Sequence, residues 1–340
     1  MGLVSLFNNA YADGASGAPS GTAQYPSILN GYATRPPWKV AGVDYAVGIP
    51  SSVTLQDPWP GYPSTTVGTA LASAFITQCG GSGNLSLTAN KISINGNNAS
   101  ISGWDFSLHG GVQLELNGVI GTIIQNCNFE VGANGTVMLN GDVGATNNTT
   151  ITCCSFNMHG LNDGFNAGAV NIRGNVTATY NLIQNSAADL WDQGGTGVTV
   201  QTLTRKYNVF KDAGQGAAGL HPDQLQFGGG TYTLDEEFNT YYQSTLGAAG
   251  GTQGICPDNT NLNGTTMAGA SKIANNTIIA LAGTSVNSQF QCNPGSGSAT
   301  ILIDSNYIDP SGDGAVYKFV NSNNTQTNNV NMVTGGALNS

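Results

Sequence analysis

The sequence predicts an all-β chain, wound as a right-handed single-stranded parallel β-helix with an irregular N-terminal arm or cap. Three observations carry this. First, one short phrase returns between Gly103 and Ile308, closing each time on a large apolar residue: Phe106, Phe129, Phe156, Ile183, Phe210, Tyr241, Ile278 and Ile308. The closers are 23 to 37 residues apart, the length of one solenoid coil. Second, the residue two places before each closer forms another column: Trp104, Cys127, Cys154, Asn181, Asn208, Asn239, Asn276 and Asn306. Third, apolar residues fall in short β-compatible runs such as Thr122-Ile-Ile and Thr300-Ile-Leu-Ile, while helical periodicity is confined to Thr69–Ile76.

From this pattern the closers should stack inside the coil, about 4.8 Å apart, the spacing of paired strands. Asparagine tolerates left-handed backbone, so the asparagine column should occupy tight turns, with its amides bonded along the ladder. The periodicity resembles the pectin-lyase-like superfamily of β-helices over about two-thirds of the chain. That resemblance implies the fold; it brings no catalytic signature with it.

Taken in order, residues 1–65 are a Pro- and Gly-rich arm, with Arg35-Pro-Pro-Trp-Lys and Asp57-Pro-Trp-Pro-Gly-Tyr-Pro excluding a central strand. Trp38, Tyr45 and Trp59 there need burial, either as a cap on the open end of the solenoid or as the docking residues of an arm that seats on a partner. Residues 66–310 are the β-helix, its first strands at Leu85-Ser-Leu and Lys91-Ile-Ser-Ile. Residues 311–340 are a last coil and a polar tail.

Composition excludes several function classes. Hydrophobic residues make up 39 %, enough for a solenoid core, and only 8 % of residues are charged. The net charge is −10, with nine Lys plus Arg and only Arg205-Lys206 adjacent, so no basic stripe exists for nucleic acid. The same shortage argues against a polyuronate substrate and for neutral glycan or protein surfaces. No run of 18 apolar residues offers a membrane span, and the N-terminal residues lack the basic and apolar regions of a signal peptide.

Of the six cysteines, Cys127 and Cys154 share a column in adjacent coils. That places them within disulfide reach, although small thiols filling the interior are the preferred reading. Cys256 and Cys292, near Pro257 and Pro294, are the better disulfide candidates. No Cys-x-x-Cys or histidine cluster accompanies them, so neither a metal nor a cofactor is expected.

The candidate chemistry is a row of carboxylates. Asp163, Asp189, Asp192 and Asp223 recur along the coils, with His221 opening His221-Pro-Asp-Gln-Leu-Gln. Its His-x-Asp-x-x-Gln pattern resembles one in some β-helix proteins acting on polysaccharides. Two carboxyls at a suitable separation hydrolyse glycosides, and like charges stacked together raise one pKa. Trp191, Tyr232 and Tyr242 are candidate platforms for sugar rings. His109 and His159 fall in one turn two coils apart and read as turn residues, while Arg173 and Arg205 are the nearest candidates for a lyase base.

Two functions follow. The first is a non-enzymatic surface protein of an assembly: a bacteriophage virion component (decoration, spike or fibre-like) at the virion surface, joined to other subunits, as in a homotrimer, through the arm. The second is a polysaccharide-acting enzyme, hydrolase before lyase, in a secreted setting. The absence of a convincing catalytic motif puts the weight on the first.

Overall fold

The computed structural model describes residues 17–132, 138–141, 148–161, 168–194, 200–216, 222–247, 254–256, 266–284, 288–292, 301–312, 314–319 and 324–338. Its strands lie in three sheets running the length of a parallel β-helix. Sheet A runs from Leu85–Thr88 to Ala315–Phe319, sheet B from Ser100–Ser102 to Thr325–Thr327, and sheet C from Asn128–Glu130 to Val330–Asn331. Each coil visits A, B and C in turn, so a strand pairs with its counterparts one coil before and after it. Ile183, for example, lies between Phe156 and Phe210.

The predicted apolar pile forms in sheet C. All eight closers are at most 1 % exposed. Phe106 stacks on Phe129 and Phe129 on Phe156, each with centroids 4.7 Å apart, and Phe210 stacks on Tyr241 at 5.0 Å. Sheet B contributes a second inward column: Ile101, Ile124, Ile151, Ala178, Arg205, Glu236, Ile273 and Ile303.

The asparagine ladder forms at the turn from sheet B to sheet C, and it runs one coil further than the sequence reading, to Asn329. In Asn208 the side-chain amide donates to Asn239 Oδ1 and to the Ala178 carbonyl, both at 2.9 Å. Its Oδ1 accepts the backbone N–H and the Nδ2 of Asn181, again at 2.9 Å. All four capacities of the amide are thus met in a site without water access. The left-handed residue is not the ladder asparagine, as expected, but its predecessor. Asn126, Cys153, Tyr180, Tyr207, Phe238, Asn275, Ser305 and Asn328 have φ between 53° and 63°. Such backbone costs a bulky residue about 1–2 kcal/mol. The ladder offsets this by bonding the next backbone N–H, and the half-buried rings of Tyr180, Tyr207 and Phe238 stack on the outer side at 5.1 and 5.4 Å.

Two expectations at the N-terminal end change. Leu85–Thr88 pairs antiparallel with Lys91–Ile94 through a tight turn in which Ala89 has φ 37°, so the first strand is half of a hairpin and not a coil. The helical segment splits into Val67–Ala70 and Ser73–Gln78, because Leu71 is extended. The second helix closes the solenoid end. Phe75 meets Trp104 and Phe106 edge-on, and the Gln78 amide caps the sheet B edge at the Ser102 N–H and carbonyl.

The described part of residues 1–65 does two jobs. From Gly17 to about Pro50 it is a strap over the outside of sheet C. It reaches the last coils, where the Thr34 N–H donates to the Met332 carbonyl, and returns to the Tyr180 carbonyl at the Gly48 N–H. Gly42 has φ 73°, and a Cβ there would sit 2.7 Å from Val209 Cγ2, so only glycine lets the strap lie this close. From Gln56 onward the chain joins the cap. Trp38 (6 % exposed) packs edge-on against Phe238 and Tyr307, Tyr45 against Tyr180, and Trp59 is buried beside Tyr62. Of the three aromatics read as either cap or docking residues, Trp38 and Trp59 are thus buried against this chain and Tyr45 is half-buried against it. At the other end, residues 331–338 fold back and Ala337 bridges Val330 in place of a free polar tail.

Candidate functional site

Sheet A has an inward column of Ile92, Leu114, Leu139, Val170, Trp191, Leu225 and Ile255, and an outward one one residue further along. The outward column reads Ser93, Glu115, Asn140, Asn171, Asp192 and Gln226. Glu115 is held by Lys91 Nζ at 2.9 Å and Ser93 Oγ at 2.8 Å. The amides and Asp192 then continue along the face, half-buried.

Asp189 and Asp223 sit where successive coils enter this sheet. The turn over 186–190 carries the next one, Gln215 N–H bonding the Ser186 carbonyl and Gly214 N–H the Ala188 carbonyl. Asp223 is brought to Asp189 in the same way: its N–H donates to Asp189 Oδ1 at 2.7 Å, and its carbonyl accepts from Leu190 N–H at 2.9 Å. Both aspartates are 1 % exposed. Burial first, then the neighbouring carboxylates of Asp223 and Asp192, push the Asp189 carboxyl well above the ordinary carboxylate range, and the Asp223 N–H bond only partly opposes this. Three of the four predicted carboxylates are therefore gathered at one edge of sheet A. Asp163 and His221 lie outside the described residues. Among the described residues no group of three His, Cys, Asp or Glu is placed to hold a metal ion.

Two of the proposed sugar platforms are corrected by strand parity. Trp191 faces inward with Val170, and Tyr232 lies inside with its hydroxyl on the Gly229 carbonyl, so neither ring meets solvent. Tyr242 is outside, but the strap's Tyr25 covers it edge-on at 6.0 Å. Cys127 and Cys154 are free buried thiols, not a disulfide; each Sγ faces a carbonyl of the preceding strand. The side chains of Cys256 and Cys292 lie outside the described residues, and the ladder pairs Ile255 with Phe290, one step out of register for the two cysteines. His109 bonds Asp57 at 3.0 Å and stacks on Tyr62, and His159 bonds Glu130 at 2.9 Å; both are left-handed turn residues, as read.

Arg205, named as a lyase base, is enclosed in the core. Its Nε donates to Glu236 Oε2 at 2.8 Å and its Nη2 to Tyr241 Oη at 2.9 Å, while Tyr241 and Asn239 donate to Glu236 Oε1. The guanidinium lies 4.2 Å from the Phe210 centroid and 5.3 Å from that of Trp191. All of these side chains are fully buried. No solvent-borne substrate reaches this group. Sequence reasoning missed it, although a signal was present. Leu203-x-Arg205 and Leu234-x-Glu236 share strand parity, and Arg205 to Glu236 spans the same 31 residues as Phe210 to Tyr241.

Among the described residues no helix is long and apolar enough to cross a membrane. Compared with known proteins, the chain matches no family model, no curated protein and no solved structure, so its class is the one its own coils define, a parallel β-helix.

Proposed function

We propose that this β-helix acts on polysaccharide, hydrolysing glycosidic bonds at the outer face of sheet A. The observation that carries the reading is the gathering of Asp189, Asp192 and Asp223 from two coils, with Asp189 biased toward its protonated form. Asp192 and Asp223 are the candidate catalytic pair, and Asp189 positions Asp223 through the bond to its N–H. In the reaction, the protonated carboxyl of the pair gives its proton to the glycosidic oxygen as that C–O bond breaks. The ionised partner takes a proton from the water whose oxygen bonds the anomeric carbon, so one water is consumed and two shorter glycans leave.

The test is release of reducing ends from a panel of neutral polysaccharides. Asp192→Asn and Asp223→Asn, checked for intact β circular dichroism, should each lose about 10²–10⁴-fold, the range of general acid–base catalysis. Wild-type protein that cleaves no glycan would sink the reading.

A second proposal, the virion component, draws on the strap and the two closed ends, which make a rigid rod. It requires docking through surfaces other than Trp38 and Trp59. Co-sedimentation with particles, unaffected by Asp192→Asn, would favour it.

A further inference from the structure

The outward column of sheet A is a row of hydrogen-bonding side chains laid along the solenoid axis. Asn140, Asn171, Asp192 and Gln226 hold the same outward position in four successive coils, and all four are half-buried. Glu115, engaged by Lys91 and Ser93, precedes the row and Cys256 follows it in register. An amide offers two donors and two acceptor sites, so a bond made within the chain leaves capacity for an outside hydroxyl. Asp192, Asp223 and Arg173, the last two residues past Asn171 on this face, each have an interaction within the chain. The face thus holds both signs of charge, each engaged, and what it presents along its length is neutral hydrogen bonding.

Beside this row the side chains stop. Two residues further along their strands, Gly194 and Gly228 pair with the same outward parity. Gly228 is free of left-handed backbone, and a Cβ on it would meet nothing closer than the Gly194 Cα at 3.4 Å, so neither conformation nor packing requires glycine there. The next atom such a Cβ would meet is Asp192 Oδ1, at 3.8 Å. Glycine weakens a strand interior, and here it keeps bare backbone open to a ligand right next to a candidate catalytic carboxylate. The axial interval then selects the ligand. Coils repeat every 4.7–4.9 Å, and an extended 1,4-linked pyranose chain advances by nearly that distance per sugar. Each ring along such a chain meets one polar side chain of the row, whereas helically coiled glucans leave a straight row after one or two sugars.

We propose that the substrate of this face is a neutral glycan with an extended β-1,4-linked backbone, lying along the solenoid axis with one sugar per coil from Asn140 to Gln226 and passing over Gly194 and Gly228 beside Asp192. This rests on the glycan reading above and narrows its substrate class by linkage.

The experiment is calorimetric titration of the full chain with β-1,4-linked hexamers of glucose, mannose and xylose, against β-1,3-linked and α-1,4-linked glucose hexamers. Product analysis by mass spectrometry runs in parallel. The best β-1,4-linked hexamer should bind at least about tenfold more tightly than either of the other linkages, the gain of a few extra hydrogen bonds. Within its own series, affinity should climb from dimer to tetramer and level off beyond, because the row spans four coils. Gln226→Leu and Gly228→Val leave net charge unchanged and should each weaken that binding several-fold, with circular dichroism intact. Equal binding of all linkages, binding of none, or both variants binding like wild type would overturn the inference. Cleavage of the hexamers without regard to linkage would overturn it while leaving the hydrolytic reading in place. Preferred β-1,4 binding with no cleavage of any hexamer would support it and remove the hydrolytic reading instead.

Discussion

Removing Glu236 alone should be among the most damaging single changes this chain can suffer. Glu236→Ala leaves the Arg205 guanidinium fully buried between Phe210 and Trp191, with Nη1 already lacking an acceptor among the described residues. It also strips the partner from the Tyr241 hydroxyl and from one donor of Asn239, a ladder residue. Breaking one side of a buried ion pair costs about 3–5 kcal/mol. With an unfolding entropy of about 2.1 cal/mol/K per residue, a chain of 340 residues shifts by about 1.4 °C per kcal/mol, so Tm should fall by about 4–7 °C. Replacing both partners, Arg205→Met with Glu236→Leu, removes both charges and restores the apolar run between Ala178 and Ile273. That double variant should lie near wild type or up to about 4 kcal/mol above it. Differential scanning calorimetry on both single alanine variants, their double-alanine combination and the Met/Leu pair gives the coupling directly. If each single change cost under about 1 kcal/mol and the coupling vanished, the charges would not be buried together and the inward register of Arg205 would be wrong.

Other outcomes follow from the same geometry. Asn208→Ala removes four hydrogen bonds and orphans the buried Asn181 N–H; a loss of about 4 kcal/mol is expected in calorimetry, and a loss under about 1 kcal/mol would deny the ladder its role. The Asp189 carboxyl is raised in the folded chain, so its contribution to stability is fully present below the ordinary value of 3.8 and declines as pH rises through the native value. Asp189→Asn keeps an acceptor for the Asp223 N–H and removes that dependence, so its stability advantage over wild type should grow from acidic to neutral pH; parallel curves would refute the shift. Trp38→Ala should cost about 3–5 kcal/mol in the strap alone, seen as faster proteolysis within residues 17–50 with unchanged β circular dichroism. Cys127 and Cys154, buried and unbridged, should react with thiol reagents only after denaturation.

The stacking core was legible because it repeats. Eight closers and their asparagines recur at coil length, and a column of identical environments imposes identical residues. Three things resisted. Insertions between coils hide strand parity, so Trp191 and Tyr232, plain aromatic candidates in sequence, turned out to be interior residues. The left-handed position holds Tyr180, Tyr207 and Phe238, which local preference would exclude; the ladder one residue later imposes it. The strap contacts coils far from it in sequence, such as Ala41 with Thr240, and nothing in the local Pro/Gly pattern distinguishes a partner's surface from the chain's own. At the candidate site Asp189, Asp192 and Asp223 were found in the sequence, since a coil offset predicts shared edges.

The two ionic features of this rod obey one rule with opposite results. A solenoid brings residues one coil apart into register, 4.7–4.9 Å from strand to strand, whatever their chemistry. Inside, that register sets Arg205 against Glu236, and opposite charges close on each other with tyrosine and asparagine completing the bonds. At the edge of sheet A it sets Asp223 against Asp189, and like charges meet with a backbone N–H between them. The interior arrangement sets opposite charges against each other within the chain, leaving only Nη1 of Arg205 without an acceptor among the described residues. At the edge, burial and the neighbouring like charge drive one acid toward its neutral form. Of these two places only the edge of sheet A adjoins an outward column, through half-buried Asp192, and that is why the proposed chemistry with an outside molecule is put there.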